Sequence, residues 1–266
     1  MAKVAVVVPT LGTRPDWLAV SLKAIASQER ADIELVVVHP PGVDVKWIAN
    51  AYGARLEVER KRGLASAINQ GAESAGRDVE YVTWIADDDV LAPKSIMRSA
   101  FALEEHAAAP FSFGRVRYLD EYGCSKWLLR TGVWVVNYAK YGVNFIPQPG
   151  SLVRRSAWTE VGGLDESFSN AMDHDLFLRL AILGRPVYLP HEVAGFRVHP
   201  GSISVLKDGQ DESDQIRTRF GRSRVPAKLA RISDKLLLSA LRRVPGPSMP
   251  TIDGIPYTLY GADEGF

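Results

Sequence analysis

The feature that most constrains this sequence is the regular alternation of short apolar runs and amphipathic segments in its first 110 residues. Runs rich in Val, Ile and aromatic residues predict β-strands at 3–8, 33–38, 55–59 and 81–86. Apolar residues at helical spacing predict helices at 16–28, 46–52, 63–75 and 93–106. Because strands and helices alternate with short connections, we predict an open, mostly parallel α/β sheet with helices on both faces.

After residue 110 the alternation becomes irregular. Residues 111–118 alternate like a strand, residues 144–150 (NFIPQPG) have loop composition, and residues 173–183 have a clear helical pattern. Residues 186–198 hold one or two short strands. We find no linker and no internal repeat, so this part is predicted to be α+β and continuous with the first.

The composition is that of an ordinary globular protein. The 266 residues carry a net charge of +1, without the clustered positive charge on which nucleic-acid binding usually depends. The one cysteine, Cys124, allows no internal disulfide and no multi-cysteine zinc site, which favours a reducing compartment. The sequence shows no signal-peptide pattern and no run near the ~18 apolar residues of a membrane span, so we expect a cytoplasmic protein.

The C-terminal part has a different charge pattern. Nine basic residues stand between Arg217 and Arg243 against one acid, Asp234, and Leu229, Ile232, Leu236 and Leu241 fall near helical spacing. Such a helix could lie on an anionic membrane face, as a peripheral contact. It could equally pack on its own domain with a solvated basic side. Both interpretations remain open at this stage.

Three adjacent carboxylates follow the fourth predicted strand, in the stretch WIADDDVLAP at 84–93. Asp89 could cap the helix predicted to begin near Pro93, since Asp satisfies free helical N–H groups. A cap needs one Asp, however, and three suit a hard divalent cation that is shared with substrate phosphates. Ligands of parallel sheets lie beyond the carboxyl ends of the strands, where this cluster stands.

Further chemistry-bearing residues lie downstream. Asp173 and Asp175 stand at the start of a predicted helix, where the helix dipole favours carboxylates whatever their function. His199 follows a predicted strand and could be either a structural residue or a metal ligand.

Six stretches occur in order along the chain: VVVPT, RGLASAINQGAESA, YVTWIADDDVLAP, GSLVRRSAWTEVGGLDESF, MDHDLFLRL and FRVHPGSIS. In this order they resemble the family 2 glycosyltransferases over residues 3–204. The resemblance implies a GT-A type α/β fold, an open, mostly parallel sheet flanked by helices. It implies a domain at 1–204, made of a Rossmann-like nucleotide-sugar-binding half (1–110) and an acceptor and catalytic half (111–204). A basic helical extension and tail would follow at 205–266.

The resemblance also implies an activity. Family 2 enzymes of this type invert the anomeric centre as they move a sugar, here a hexose or deoxyhexose, from a nucleoside diphosphate to an acceptor hydroxyl. The donor would carry UDP, dTDP or GDP, and the acceptor would be a glycan, a lipid-linked molecule or a small molecule. The setting would be cell-surface polysaccharide, glycolipid or secondary-metabolite glycosylation. Mn2+ or Mg2+ at the aspartate cluster would neutralise the charge that develops on the diphosphate.

The resemblance assigns roles to the aspartates of the cluster through the family motif Asp-any-Asp. Asp88 matches the metal-binding Asp, which places the first position on Ala86, a departure from the motif. The alternative pair is Asp87 with Asp89. We favour Asp88 as the main metal ligand, with Asp89 and His199 completing the metal site and Asp87 near the ribose or the metal.

The catalytic base of the family matches Asp173, which would take the proton of the acceptor hydroxyl. The preceding residue is usually acidic in the family and is Met172 here, so Asp175 is the second candidate for the base.

Donor-binding positions of the family fall on the following residues: Pro9, Thr10, Arg62, Gly63, Ala67 and Asn69. The family often ends its second strand in an Asp that reads a pyrimidine. This chain has His39 there, which leaves the choice of nucleobase open. Trp127, Gln148, Gly150 and Ser151 are candidates for the acceptor side.

Two other functions are compatible with parts of the sequence. A sugar nucleotidyltransferase would need a Gly-rich phosphate loop after the first strand, and the chain has one Gly there, Gly12. A non-catalytic nucleotide-binding relative is compatible with the altered second strand, and nucleotide affinity without turnover would identify it.

Overall fold

The computed structural model describes residues 1–29, 31–202, 210–220, 227–243, 251–252 and 255–256. The first part alternates strands and helices as predicted. Its strands are β1 (Lys3–Pro9), β2 (Asp32–His39), β3 (Arg55–Val58) and β4 (Tyr81–Trp84). Its helices are α1 (Pro15–Ala26), α2 (Lys46–Ala51), α3 (Leu64–Ser74) and α4 (Ser95–Glu105).

These four strands form a parallel sheet in the order β4-β1-β2-β3. Side chains of β1 alternate between two apolar layers, because successive residues of a strand face opposite sides. Val7 packs on the side of α3 with Ile68, and Val6 packs on the side of α1 with Leu22. Strands buried on both faces explain the uninterrupted apolar runs of the sequence.

The second part continues the same sheet in a mixed pattern. Its strands are β5 (Val90–Leu91), β6 (Phe111–Leu119), β7 (Ser125–Leu129), β8 (Leu152–Arg154) and β9 (Val187–Arg197). Its helices are α5 (Trp134–Ala139), α6 (Arg155–Val161) and α7 (Met172–Leu183). β8 runs antiparallel to both β4 and β6, and β9 runs parallel to β6 and antiparallel to β5. The predicted open sheet flanked by helices is present, with its parallel order concentrated in the first part.

The C-terminal segment packs onto this second part. It contains α8 (Gln210–Arg219), α9 (Ala227–Leu241), β10 (Arg242–Arg243) and a small pair, β11 (Thr251–Ile252) with β12 (Ile255–Pro256). Ile216 is fully buried in the core that contains α7, and β10 extends the sheet beside β7. The two helices of the predicted extension therefore share a core with the residues before 204. Arg222, Arg224 and most of the predicted tail lie outside the described residues.

Among the residues that the structure describes, no helix combines the length and apolar character needed to span a bilayer.

Candidate active site

The aspartate cluster lies in a turn between β4 and β5, at the carboxyl edge of the parallel sheet. The N–H of Asp89 donates to Ala86 O at 3.1 Å, which closes the turn, and Val90 and Leu91 then pair with β9. The strand predicted at 81–86 therefore ends earlier, at Trp84, and the helix predicted from 93 begins at Ser95.

Asp89 does not cap that helix. The residue at the cap position of α4 is Lys94, and no side chain caps it. Asp89 is almost completely buried, and its Oδ1 accepts a hydrogen bond of 2.8 Å from the backbone N–H of Arg197. Burial, together with the neighbouring charge of Asp88, raises the pKa of Asp89 well above its ordinary value. Asp89 thus joins the aspartate turn to the end of β9, and the cap interpretation is wrong.

Asp87 contacts the turn that follows β1. Thr10 Oγ1 donates to Asp87 Oδ2 at 2.5 Å and accepts from the N–H of Gly12 at 2.9 Å. Burial raises the pKa of Asp87 to about 6, although the hydrogen bond from Thr10 acts in the opposite direction. The structure therefore brings together the predicted residues Pro9, Thr10 and Asp87.

Asp88 contacts His199 across the site. Asp88 Oδ2 and His199 Nε2 are 2.7 Å apart. The N–H of Gly201 donates to His199 Nδ1 at 3.0 Å, so the proton of the neutral imidazole is on Nε2, facing Asp88. His199 is buried beside Trp17, with 4.8 Å between the ring centroids. Residues from the β4–β5 turn and from the end of β9 therefore converge.

The side chains of Asp88 and His199 offer atoms that suit a divalent cation as ligands. Among the described residues, no group of three His, Cys, Asp or Glu side chains could hold a metal ion. A cation that is shared with a diphosphate needs only one or two protein ligands, because phosphate oxygens and water fill the other positions. A carboxylate oxygen and an imidazole nitrogen within hydrogen-bond distance of each other fit that requirement when the imidazole proton is on Nδ1, which leaves the Nε2 lone pair for the cation.

Two arginines and a tryptophan were not among the predicted site residues. The guanidinium carbons of Arg14 and Arg197 lie 5.2 and 5.0 Å from the centroid of the Trp17 ring. Arg14 lies so close to Gly201 that an added Cβ would come within 2.3 Å of its Nη2 atom. Positive charge therefore surrounds the Asp88–His199 pair. The stretch TRPDW after the first strand was the available sequence signal.

Asp173 stands in the first turn of α7 and is half-buried. Its carboxylate accepts hydrogen bonds from Asn144 Nδ2 at 3.0 Å and from the backbone N–H of His174 at 2.8 Å. Burial raises the pKa of Asp173 to about 6, and these hydrogen bonds moderate the rise. The loop that carries Asn144 is attached to the parallel sheet, because Gln148 Nε2 donates to Trp84 O at 2.8 Å.

Asp175 lies in a different environment. It has no exposed area, and its carboxylate pairs with Arg179 and Arg219 at 2.7 Å each. This carboxylate is enclosed by an ion-pair cluster and has no open path to an acceptor hydroxyl.

The remaining residues predicted to bind the sugar donor lie in different environments. His39 is buried at the end of β2, with its Nδ1 3.0 Å from Pro40 O, and Arg62 is exposed near Glu59 at the end of β3. Gly63 has φ 144° where α3 begins, a conformation that L side chains rarely adopt. Ala67 faces the core. Asn69 Nδ2 donates to Leu164 O, and its Oδ1 accepts from the Leu164 N–H, at 2.9 Å each.

An aromatic group lies on the side of the sheet edge near β7. Tyr118 and Trp127 stack with 4.8 Å between their ring centroids, and Arg242 lies 4.3 Å from the Trp127 centroid. Burial raises the pKa of Tyr118 to about 12, and the charges of Asp89 and Asp173 act in the same direction. Tyr118 is therefore within electrostatic range of both carboxylates, and Trp127 stacks on it.

Comparison with known proteins gives a consistent family and fold. The profile of Glycosyl transferase family 2 matches residues 5–161. The uncharacterized glycosyltransferase YwdF of Bacillus subtilis (strain 168) is 26% identical over 189 residues, which cover 67% of this chain and 68% of YwdF.

Two solved structures show the same architecture. S. aureus TarS 1–349 in complex with UDP-GlcNAc has a TM-score of 0.64 and 15% identity, covering 86% of this chain and 69% of that chain. The mannosyltransferase PcManGT from Pyrobaculum calidifontis, in complex with GDP-Man and Mn2+, has a TM-score of 0.54 and 17% identity, covering 88% of this chain and 79% of that chain. These likenesses confirm the predicted GT-A fold, an open curled sheet flanked by helices. Since the family profile spans more than half of the sequence, the chain belongs to glycosyl transferase family 2.

Proposed function

We propose that this protein is an inverting, metal-dependent glycosyltransferase that moves a sugar from a nucleoside-diphosphate sugar to an acceptor hydroxyl. The observation that carries the proposal is the convergence of two contacts, Thr10 with Asp87 and Asp88 with His199, at the carboxyl edge of the parallel sheet. Asp173 stands on a helix joined to that edge through Asn144 and Gln148. The edge is where open α/β sheets bind their ligands.

The nucleoside would lie over the ends of β1, β2 and β3. Thr10 is oriented by Gly12 and shares a hydrogen bond with Asp87, which places a carboxylate where ribose hydroxyls could donate to it. His39 and Arg62 flank the edge on the base side. TarS with UDP-GlcNAc and PcManGT with GDP-Man support a nucleotide-sugar donor. UDP, dTDP and GDP all remain candidates.

The diphosphate would lie beside Asp88 and His199. These two residues would hold Mn2+ or Mg2+, which when bound supplies positive charge to the departing diphosphate. Arg14 and Arg197, which flank Trp17 beside His199, add positive charge from the chain itself. Asp89 would support the site by fixing Arg197 and the end of β9.

Asp173 would be the general base. With a pKa of about 6 it is ionised at neutral pH and basic enough to take a proton from an acceptor hydroxyl. Asn144 and the N–H of His174 orient the carboxylate. Attack from the side opposite the diphosphate inverts the anomeric carbon. Asp175, the second candidate for the base, is enclosed by arginines, so we assign the role to Asp173 alone.

The experiment that tests this division of roles compares Asp88→Asn with Asp173→Asn. We expect Asp88→Asn to weaken Mn2+-dependent nucleotide binding by at least about tenfold, because it removes the charged ligand. Asp173→Asn should bind nucleotide as the unaltered protein does and lose turnover by about a hundredfold or more. Binding is measured by calorimetric titration and turnover by release of nucleoside diphosphate. Equal loss of binding in both variants would contradict the assignment.

The acceptor would bind to the second part of the chain, and the membrane contact would lie on the C-terminal segment. A glycan, a lipid-linked molecule or a small molecule would approach near Trp127 and Asp173. On α9, Ile232 and Leu236 are 57% and 69% exposed one turn apart, next to the exposed Lys235. An exposed apolar pair with basic neighbours supports peripheral contact with an anionic lipid surface.

Vesicle sedimentation tests that contact. The protein should sediment with phosphatidylglycerol vesicles at low salt and not with phosphatidylcholine vesicles, and the double change Ile232→Ser and Leu236→Ser should weaken sedimentation severalfold. Sedimentation that is equal for both lipids, or unaffected by the double change, would contradict it.

A further inference from the structure

The backbone that leads into α7, residues 169–171, has N–H groups that need hydrogen-bond acceptors. Residues 169–171 precede the helix, so their N–H groups have no acceptor within it, and the residue at the cap position, Ala171, has no side chain that could supply one. Asp173 follows two residues later. The segment that presents the proposed base therefore needs an acceptor from elsewhere in the chain.

Glu212 of α8 supplies this acceptor. Its Oε1 accepts from the N–H of Ser169 at 3.0 Å and from Ser169 Oγ at 2.8 Å. Its Oε2 accepts from the N–H groups of Asn170 and Ala171, at 2.8 Å each. Burial acts to raise the pKa of Glu212, but these hydrogen bonds outweigh it and the pKa is lowered. The carboxylate also lies where the helix dipole favours negative charge.

Other contacts of α8 fix it independently of Glu212. Ile216 is fully buried in the core, Arg217 donates to Tyr141 O at 3.2 Å, and Arg219 pairs with Asp165 at 2.8 Å and with Asp175. Glu212 is thus a fixed carboxylate on a packed helix. Its removal should leave α8 in place and free only the backbone of residues 169–171.

We propose that Glu212 is a positioning residue that holds the entry of α7 so that Asp173 meets the acceptor hydroxyl. This inference rests on the proposed role of Asp173 as general base. Glu212 lies beyond residues 5–161, the part of the chain that matches the family profile. The chain therefore uses its C-terminal segment to complete the catalytic half.

The test compares Glu212→Ala with Asp211→Ala, a change at the neighbouring exposed carboxylate of α8. Hydrogen–deuterium exchange is followed at the amides of 169–171. Turnover is followed as release of nucleoside diphosphate from UDP-GlcNAc, dTDP-glucose or GDP-mannose with water as the acceptor. Nucleotide binding is measured in parallel, because a loss of general stability would lower both binding and turnover.

We expect Glu212→Ala to speed exchange of these amides at least tenfold and to lower kcat by about ten- to a hundredfold, since small misplacement of a reacting group has effects of that size. Donor KM and nucleotide affinity should stay within about twofold of the Asp211→Ala values, because the donor residues lie on other elements. Glu212→Asp, which keeps the charge on a shorter side chain, should recover part of kcat.

Unchanged exchange at 169–171 in Glu212→Ala would overturn the proposal, as would parallel loss of kcat and nucleotide affinity. If Glu212→Ala does not fold, Glu212→Asp decides by the same two criteria. Asp173→Asn distinguishes a failure of the proposed base from a failure of the positioning role of Glu212. Full activity in Asp173→Asn refutes the proposed base, whereas an inactive Asp173→Asn beside a fully active Glu212→Ala refutes only the positioning role.

Discussion

At the N-terminus of α7, Asp173 combines a half-buried position with two hydrogen bonds to its carboxylate. Burial favours the protonated form and raises the pKa to about 6, whereas the hydrogen bonds favour the ionised form. The group is therefore ionised above about pH 6 and protonated below. Only the ionised form can accept a proton, so the balance between burial and Asn144 sets the pH range of the base.

We expect kcat to fall as the pH drops through about 6. Asn144→Ala removes a hydrogen bond that stabilises the carboxylate, so the fall should move to higher pH. The measurement is the pH profile of nucleoside diphosphate release at saturating donor, with Asp211→Ala as the control. A profile that is unchanged in Asn144→Ala, or that moves to lower pH, would contradict the role of this contact.

Individual residues also show what a sequence can and cannot reveal. Thr10, Asp87, Asp88 and His199 converge as the motif order implied, because each stands at the end of a strand of one sheet. Asn69 matched a donor position, yet its side chain holds the backbone of residue 164. The hydrogen-bond partner of such a side chain can lie in a distant segment of the chain, and a local sequence pattern does not identify that segment.

At the scale of elements, α3 packs unusually close to the parallel sheet. A Cβ added at Gly71 would lie 2.5 Å from a methyl carbon of Val7 and 3.1 Å from one of Val38. No side chain larger than hydrogen fits without movement of the helix or the strands. Because α3 begins directly after Arg62 and Gly63, this close packing also fixes the backbone of residues that we propose for the base side of the donor site.

Gly71→Ala should lower the free energy of unfolding by about 1–3 kcal/mol, the usual cost of overpacking a core. Glu73→Ala, at a side chain that is 71% exposed, should change it by less than about 0.5 kcal/mol, because surface ion pairs contribute little. Urea denaturation measures both. Equal effects of the two changes would show that α3 can shift freely on the sheet.

The elements of the first part could be predicted because their signals are local. β-branched runs, helical spacing and short loops determine β1 to β4 and α1 to α4 within a few residues. The turn of Asp87–Asp89 and the two-residue β5 could not be predicted, since β5 exists only through pairing with β9, about a hundred residues later. The pairing of β8 between β4 and β6 is equally non-local.

Across the whole molecule, the C-terminal segment contributes to the second part: its helices pack on the core and β10 adds a strand to the sheet. Glu212 holds the start of α7, Ile216 enters the core, and β10 adds to β7. The sequence showed this segment mainly as a basic amphipathic pattern, which fits both a membrane contact and a packed helix. Its two helices do pack on the domain, while Ile232 and Leu236 stay exposed.

We propose that a nucleotide and a divalent cation bind together at Asp88 and His199. The most direct measurement is the melting temperature with UDP, dTDP or GDP, each in Mn2+ and then in EDTA, for the unaltered protein and Asp88→Asn. Binding to the folded state raises the melting temperature by mass action, so we predict a rise with at least one nucleotide that EDTA abolishes and Asp88→Asn lacks. A rise that persists in EDTA and in Asp88→Asn, or no rise with any nucleotide, would contradict the claim.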